Sequence, residues 1–186
     1  MPPKVKVTRE TIVKTALNVV RGGGEGALNA RLIAALLGCS TQPIFSNFEN
    51  MEKLKEAVVE KAGDLYKEYM AREVAEGKYP AYKASGMAYI RFAKEEKELF
   101  KLLFMCDRRL EAIPDDDELK TSMEQIVQSS TGLGMEETEL FHLEMWAYVH
   151  GIAVMFATGY VGLEWELVSK MLTDAYLGLC KQYGME

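Results

Sequence analysis

Apolar residues recur at helical spacing along nearly the whole chain, and no segment sustains the two-residue alternation of a strand, so the sequence predicts an all-α protein of about nine helices. Thr8 is placed to cap a first helix with Ile12, Ala16, Val19 and Val20 on its inner face, and Gly22-Gly23-Gly24 stops it. Asn29 caps a second helix, whose predicted buried face is Leu32, Ile33, Leu36 and Leu37. Gly38 ends it by supplying a positive φ. Ser40 or Thr41 then caps a third helix, with Pro43 in its first turn, where a missing N–H costs nothing. Ile44 and Phe48, four apart, point inward from it. Asn50 opens a long fourth helix with Leu54, Ala57, Val58, Leu65 and Tyr69 on its apolar side. Glu52, Glu56, Glu60, Asp64 and Glu68 form a solvated acidic ridge along it.

Further along, Gly77 and Pro80 separate that helix from predicted helices over 81–94 and 95–105. Pro114, followed by the acids 115–118, reads as another helix start, since acids favour the positive end of the helix dipole. Two long helices over 136–159 and 163–183 close the chain. Residues 145–163 hold no Asp, Glu, Lys or Arg, which approaches the length of a membrane span. The stretch also holds His150, three glycines and two tyrosines and has no flanking Lys/Arg cluster, so a buried or dimer-interface helix is expected and no membrane.

Composition sharpens this picture in two places. With 48% hydrophobic and 27% charged residues the chain can bury a core, which argues against disorder. The net charge of −6 conceals an asymmetry: residues 1–50 carry six Lys/Arg against three Glu (+3), leaving 16 bases and 25 acids over 51–186 (−9). A basic head on an acidic body fits a phosphate-facing end on a remainder that repels DNA. Cys39, Cys106 and Cys180 are sparse, odd in number and form no CxxC pair, and MPPKVKVTRE has no apolar signal core. A reducing, cytoplasmic setting is expected.

Catalytic chemistry finds no foothold in the sequence. The glycines at 22–24 are not followed by GK[ST] and no apolar strand precedes them, so they read as punctuation and not a phosphate loop. The acids at 115–118 lack the spaced oxygens and central glycine of a calcium loop. The two histidines, His142 and His150, belong to no HExxH, and GxSxG is absent. No catalytic residue, metal or cofactor is expected.

Residues 30–48, ARLIAALLGCSTQPIFSNF, read as a helix-turn-helix: a short apolar helix, a glycine turn and a second short helix with exposed polar residues. Gln42 has the amide that pairs bidentately with adenine. Thr41, Ser46 and Asn47, with Ser40 at the helix start, could contact bases or backbone, while Asn29, Arg31 and Lys53 are phosphate contacts that position without specifying. The stretch RLIAALLGCSTQPIFSNFENMEKL resembles the DNA-binding signature of TetR-type transcriptional regulators. Ile33-Ala34, Leu37-Gly38, Ser40, Phe45, Phe48 and Leu54 stand in its places in order. Trp146 followed by His150-Gly151 is similar to the Trp-His-Gly motif of one subgroup of that family. Two positions depart from the pattern. Phe45 stands where many members carry a phosphate-binding Tyr, leaving apolar contact with a thymine methyl, and Met51 stands where many carry Lys. Lys53 or Lys55 could substitute for the latter.

The resemblance implies a ligand-responsive regulator, a repressor by family precedent, that binds a near-palindromic double-stranded operator as a homodimer and is released by a small-molecule effector. Residues 1–49 would be the reading domain and 50–186 the effector-binding and dimerisation domain. The last two helices would pair across the twofold axis through Trp146, Val149, Ile152, Ala153, Phe156, Ala157, Leu167, Met171, Ala175 and Leu179. Phe100, Phe104, Met105, Trp146 and His150 are candidates to line an effector pocket. The alternative is a regulator-like helical protein whose weakened DNA head acts through protein contacts.

Overall fold

The computed structural model describes residues 7–106 and 117–185, and every regular element among them is helical. In order these are α1 (Arg9–Gly23), a 3-10 turn (Glu25–Ala27), α2 (Ala30–Leu36), α3 (Gln42–Asn47), α4 (Met51–Ala75), α5 (Ala81–Glu95), α6 (Lys97–Phe104), α7 (Asp117–Thr131), α8 (Met135–Thr158) and α9 (Trp165–Gln182). The helix start predicted at Pro114 lies outside the described residues, as do Lys4 and Lys6 of the basic head. Packing divides the chain into two compact units, one of residues up to Tyr66 together with Glu96–Cys106, the other of Lys67–Glu95 and the residues after Cys106. α4 contributes to both.

Capping explains the first unit's helix starts. Thr8 Oγ1 accepts from the Thr11 amide and Thr11 Oγ1 accepts from the Thr8 amide, a reciprocal box at 3.2 and 2.9 Å that satisfies two otherwise orphaned donors. Asn29 Oδ1 accepts from the Leu32 amide (2.9 Å), and Asn50 Oδ1 does the same for Lys53 at the head of α4 (2.9 Å). α3 departs from the expected pattern. Thr41 stands at the N-cap, one of the two expected positions, but its side chain makes no capping bond, because its backbone lies in the helical region (φ −73°, ψ −14°) and not in the extended one that turns a cap side chain onto the first amides. The unit's core comes from Ile12, Ala16 and Val20 of α1, Ile33 and Ala34 of α2, Ile44 of α3, Phe48, Leu54 and Val58, and Leu99 and Phe100 of α6.

The buried stripe of α2 also differs from the predicted one. Ile33 and Ala34 are buried, but Leu32 and Leu36 are 39% and 60% exposed. A seven-residue helix lying on α1 buries a narrow stripe, and here that stripe is centred on 33, 34 and 37, about 130° from the edge that carries Leu32 and Leu36.

α5 is the axis of the second unit and packs on α7, α8 and α9. Ala84, Met87, Ala88, Tyr89, Ile90, Phe92 and Ala93 are all buried along it. Gly86 permits the approach: a Cβ there would lie 3.0 Å from Leu172 Cδ2 and 3.3 Å from Val149 Cγ2. α8 is the one helix among the described residues long and apolar enough to cross a membrane by length and composition, a property shared by core helices of globular domains. Here its face Phe141, Met145, Val149, Ile152, Ala153, Phe156 and Ala157 is buried within this unit, where α8 packs chiefly on α5. Five of the residues expected at a dimer axis, Val149, Ile152, Ala153, Phe156 and Ala157, are therefore intramolecular core, because the apolar α5 claims that face first. The outward stripe consists of Leu140, Leu143, Ala147, Gly151 and Met155.

Candidate nucleic-acid interface

α2 and α3 are joined by a turn in which Gly38 takes φ +64° and Cys39 N–H reaches back to the Ala34 carbonyl (3.0 Å), satisfying a terminal acceptor of α2. Ile44 (0% exposed) and Phe48 (3%) anchor α3 into the head. Their burial fixes which residues face outward. Gln42, Phe45 and Ser46, at i, i+3 and i+4, share the exposed face, with Phe45 49% exposed. Ser46 Oγ donates to the Gln42 carbonyl (2.9 Å) and Asn47 Nδ2 donates to the Pro43 carbonyl (2.7 Å). Asn47 is half-buried, so the freely presented readout set narrows to Gln42 and Phe45, with Ser46 beside them. Thr41 is half-buried at the helix start, and Ser40 is exposed in the turn.

The cations around α3 are in different states. Arg31 is exposed near the start of α2, beside Asn29, whose side chain is committed to the cap and to the Ala27 carbonyl (3.0 Å). Lys53 Nζ lies 2.8 and 2.7 Å from the two carboxylate oxygens of Glu56. That hydrogen bond first, and then the charges of Glu56 and Glu49, raise its pKa above the usual lysine value. Lys55 is 20% exposed and paired with Glu25 at 2.9 Å. Met51, half-buried at the first position of α4, offers no charge. Sequence reasoning missed Arg9 as a site residue. Its guanidinium sits 4.3 Å above the Phe48 ring and Nη1 donates to the Asn47 carbonyl (3.4 Å), tying the start of α1 to the end of α3. No signal short of the tertiary contact marks a residue 38 positions away.

The effector candidates fall in both units. Phe100, fully buried, and half-buried Phe104 meet in the first with ring centroids 5.2 Å apart and planes tilted by 46°, with Tyr66 edge-on to Phe104 and Met105 44% exposed. Trp146 and His150 lie in the second. Their rings stack at 4.9 Å, Trp146 stays 45% exposed, and Tyr89 O–H meets His150 Nδ1 at 2.8 Å. Burial lowers the His150 pKa, which favours a neutral imidazole accepting the tyrosine proton.

A family model described as "Tetracyclin repressor-like, C-terminal domain" matches residues 82–175. No curated protein matches the chain. Among solved structures, a TetR-like transcriptional regulator from Rhodococcus sp. RHA1 superposes with a TM-score of 0.70 at 17% identity, over 97% of this chain and 98% of that one. The multidrug binding protein EbrR, complexed with imidazole, gives 0.62 at 15% identity over 94% and 97%. A TetR-family member from Streptomyces coelicolor gives 0.60 at 16% identity over 90% and 96%. These likenesses cover the same all-helical fold from end to end, and the family model spans half the chain. The protein belongs to the TetR family of transcriptional regulators.

Proposed function

We propose that this chain is a ligand-responsive repressor that reads a near-palindromic operator as a homodimer, with α3 of each copy in the major groove. The observation that carries the reading is the division of α3, with Ile44 and Phe48 buried and Gln42, Phe45 and Ser46 presented together outward. Gln42 is the specifying residue through adenine N6 and N7, Phe45 packs on a thymine methyl, Arg31 and Lys53 hold phosphates, and Asn29 adds the one amide hydrogen that its cap and the Ala27 carbonyl leave over. Residues 1–49 form the reading domain and 50–186 the effector and dimerisation domain, acting in the cytoplasm.

Dimerisation is supported by the outer stripe of α8. Leu140, Leu143, Ala147, Gly151 and Met155 line one edge opposite the buried face, and their large apolar members have no place in water. Ala147 and Gly151, one turn apart, let a second copy approach closely. Leu167 and Leu177 of α9 are exposed as well, at 45% and 51%. A small effector acts by linkage, stabilising the dimer arrangement that DNA does not select. Its proposed contacts are Phe100, Phe104 and Met105 in the first unit or Trp146 and His150 in the second, and α4, continuous from Met51 to Ala75 and shared by both units, carries the change.

A second reading, a weakened DNA head acting through protein contacts, is favoured by Phe45, Met51 and the internal pairing of Lys53 and Lys55. Selection of bound sequences from a random duplex pool separates the two. A twofold-symmetric consensus establishes the operator reading, and no enrichment supports the protein-contact one.

A further inference from the structure

The cations at the start of α4 are already occupied. Lys53 is held by both oxygens of Glu56, Lys55 by Glu25, and the position at the helix start is Met51. Lys53 also lines a cleft of about 250 Å³ with Arg9, Asn47, Phe48, Glu49 and Glu56, which places it beside the last residues of α3. Any phosphate that docks against this edge meets a lysine whose nearest counter-charge is a carboxylate.

We propose that Glu56 is an affinity-setting residue of the DNA head: it occupies Lys53 as a phosphate surrogate, and DNA must compete with it for that lysine. The inference rests on the reading of the head as a DNA binder. Both partners are more than half exposed (53% and 62% of the side chains), so water can reach the pair and the exchange is within thermal reach. Displacement does not remove the acid, however. Glu56 stays one helical turn from Lys53, with Glu49 on the same cleft, and both then face phosphate. The head therefore binds DNA more weakly, and with a shallower salt dependence, than its lysines alone would dictate.

The test is salt-titrated fluorescence anisotropy of the full chain with a mixed-sequence duplex, because phosphate contacts need no operator. Glu56→Gln should tighten binding about fivefold at low salt and steepen the salt slope by about one unit per head. Glu68→Gln, the same charge change on α4 in the other unit, should leave both unchanged. Adding Lys53→Gln should cancel the Glu56→Gln gain. Equal tightening by Glu56→Gln and Glu68→Gln would reduce the effect to net charge and overturn the proposal. So would a Glu56→Gln gain that survives loss of Lys53, or no gain at all while the wild type binds. If neither wild type nor Glu56→Gln binds in a salt-dependent way, the DNA-binding reading itself fails and the proposal falls with it.

Discussion

Removing either partner of the Glu73–Arg91 pair should have very unequal effects on stability. Glu73 is 2% exposed in its side chain and is gripped by Arg91 Nε at 2.8 Å and Nη2 at 3.4 Å. Arg91 is 29% exposed, lies 3.8 Å from Glu95 and stacks 4.6 Å over the Trp165 ring. Arg91→Met strands a carboxylate with almost no access to water, at about 3 kcal/mol. It also removes the cation from the indole face, adding about 0.5–1 kcal/mol. Glu73→Met replaces the buried acid by an apolar side chain of similar length, and the remaining guanidinium keeps Glu95 and some solvent, so about 1 kcal/mol is expected. The double variant should lie within about 1 kcal/mol of wild type, since no charge is left unpaired. Urea unfolding followed by circular dichroism, at one protein concentration so that the proposed self-association cannot shift the midpoint between variants, reads all three. A Glu73→Met loss as large as that of Arg91→Met, or additive losses in the double variant, would refute the claim that burial of the carboxylate decides the balance.

Other outcomes follow from single contacts. His150 titrates below its ordinary value of 6.5 because of burial, so the unfolded chain takes up the proton first. Its contribution to stability is fully present above the unfolded value of 6.5 and is lost as pH falls from there through the lower folded value, and His150→Asn should flatten that part of the pH–stability curve. Gly86→Ala pushes a Cβ to 3.0 Å from Leu172 and 3.3 Å from Val149 and should lower stability by about 1–2 kcal/mol in thermal unfolding; Leu172→Ala in the same background should recover part of the overpacking strain. Gln42→Ala should relax the selected consensus at one base pair, a loss of about 1–3 kcal/mol in discrimination, without changing the salt slope. Phe45→Tyr, which adds a neutral hydroxyl to a half-exposed ring on the same face, should tighten duplex binding and leave the salt slope unchanged, because an uncharged donor releases no counterion.

Much of the head was legible because its signals are local. Thr8, Asn29 and Asn50 cap helices through bonds spanning three residues, and Gly38 ends α2 by a backbone conformation that other residues adopt only with strain. The inward positions of α3, Ile44 and Phe48, follow from their spacing alone. The N-cap of α3 falls at Thr41, one of the two positions with capping chemistry, but only the backbone shows that its helical φ and ψ leave the side chain without a capping bond. In α2, four leucine and isoleucine residues at 32, 33, 36 and 37 describe a stripe wider than one neighbouring helix can cover, and periodicity does not say which edge is left in water.

The sequence by itself determined the number and order of the helices, the turn between α2 and α3 and the outward side of the reading helix. Those depend on residues a few positions apart, within reach of a cap, a turn or a helical repeat. Tertiary structure alone decided which side of α8 belongs to the chain's own core. From Met145 to Thr158 α8 carries no Asp, Glu, Lys or Arg on any side, so its pattern names no face there, and α5, opened by Gly86, takes one and leaves Met155 outward, in line with Leu140 and Leu143. Pairing decided the state of the head's charges in the same way. Lys53 and Lys55 both stand near the start of α4, yet each meets a different carboxylate, and Arg9 finds Phe48 across 39 residues. Charge can be counted from sequence, but what neutralises it depends on distances that only folding sets.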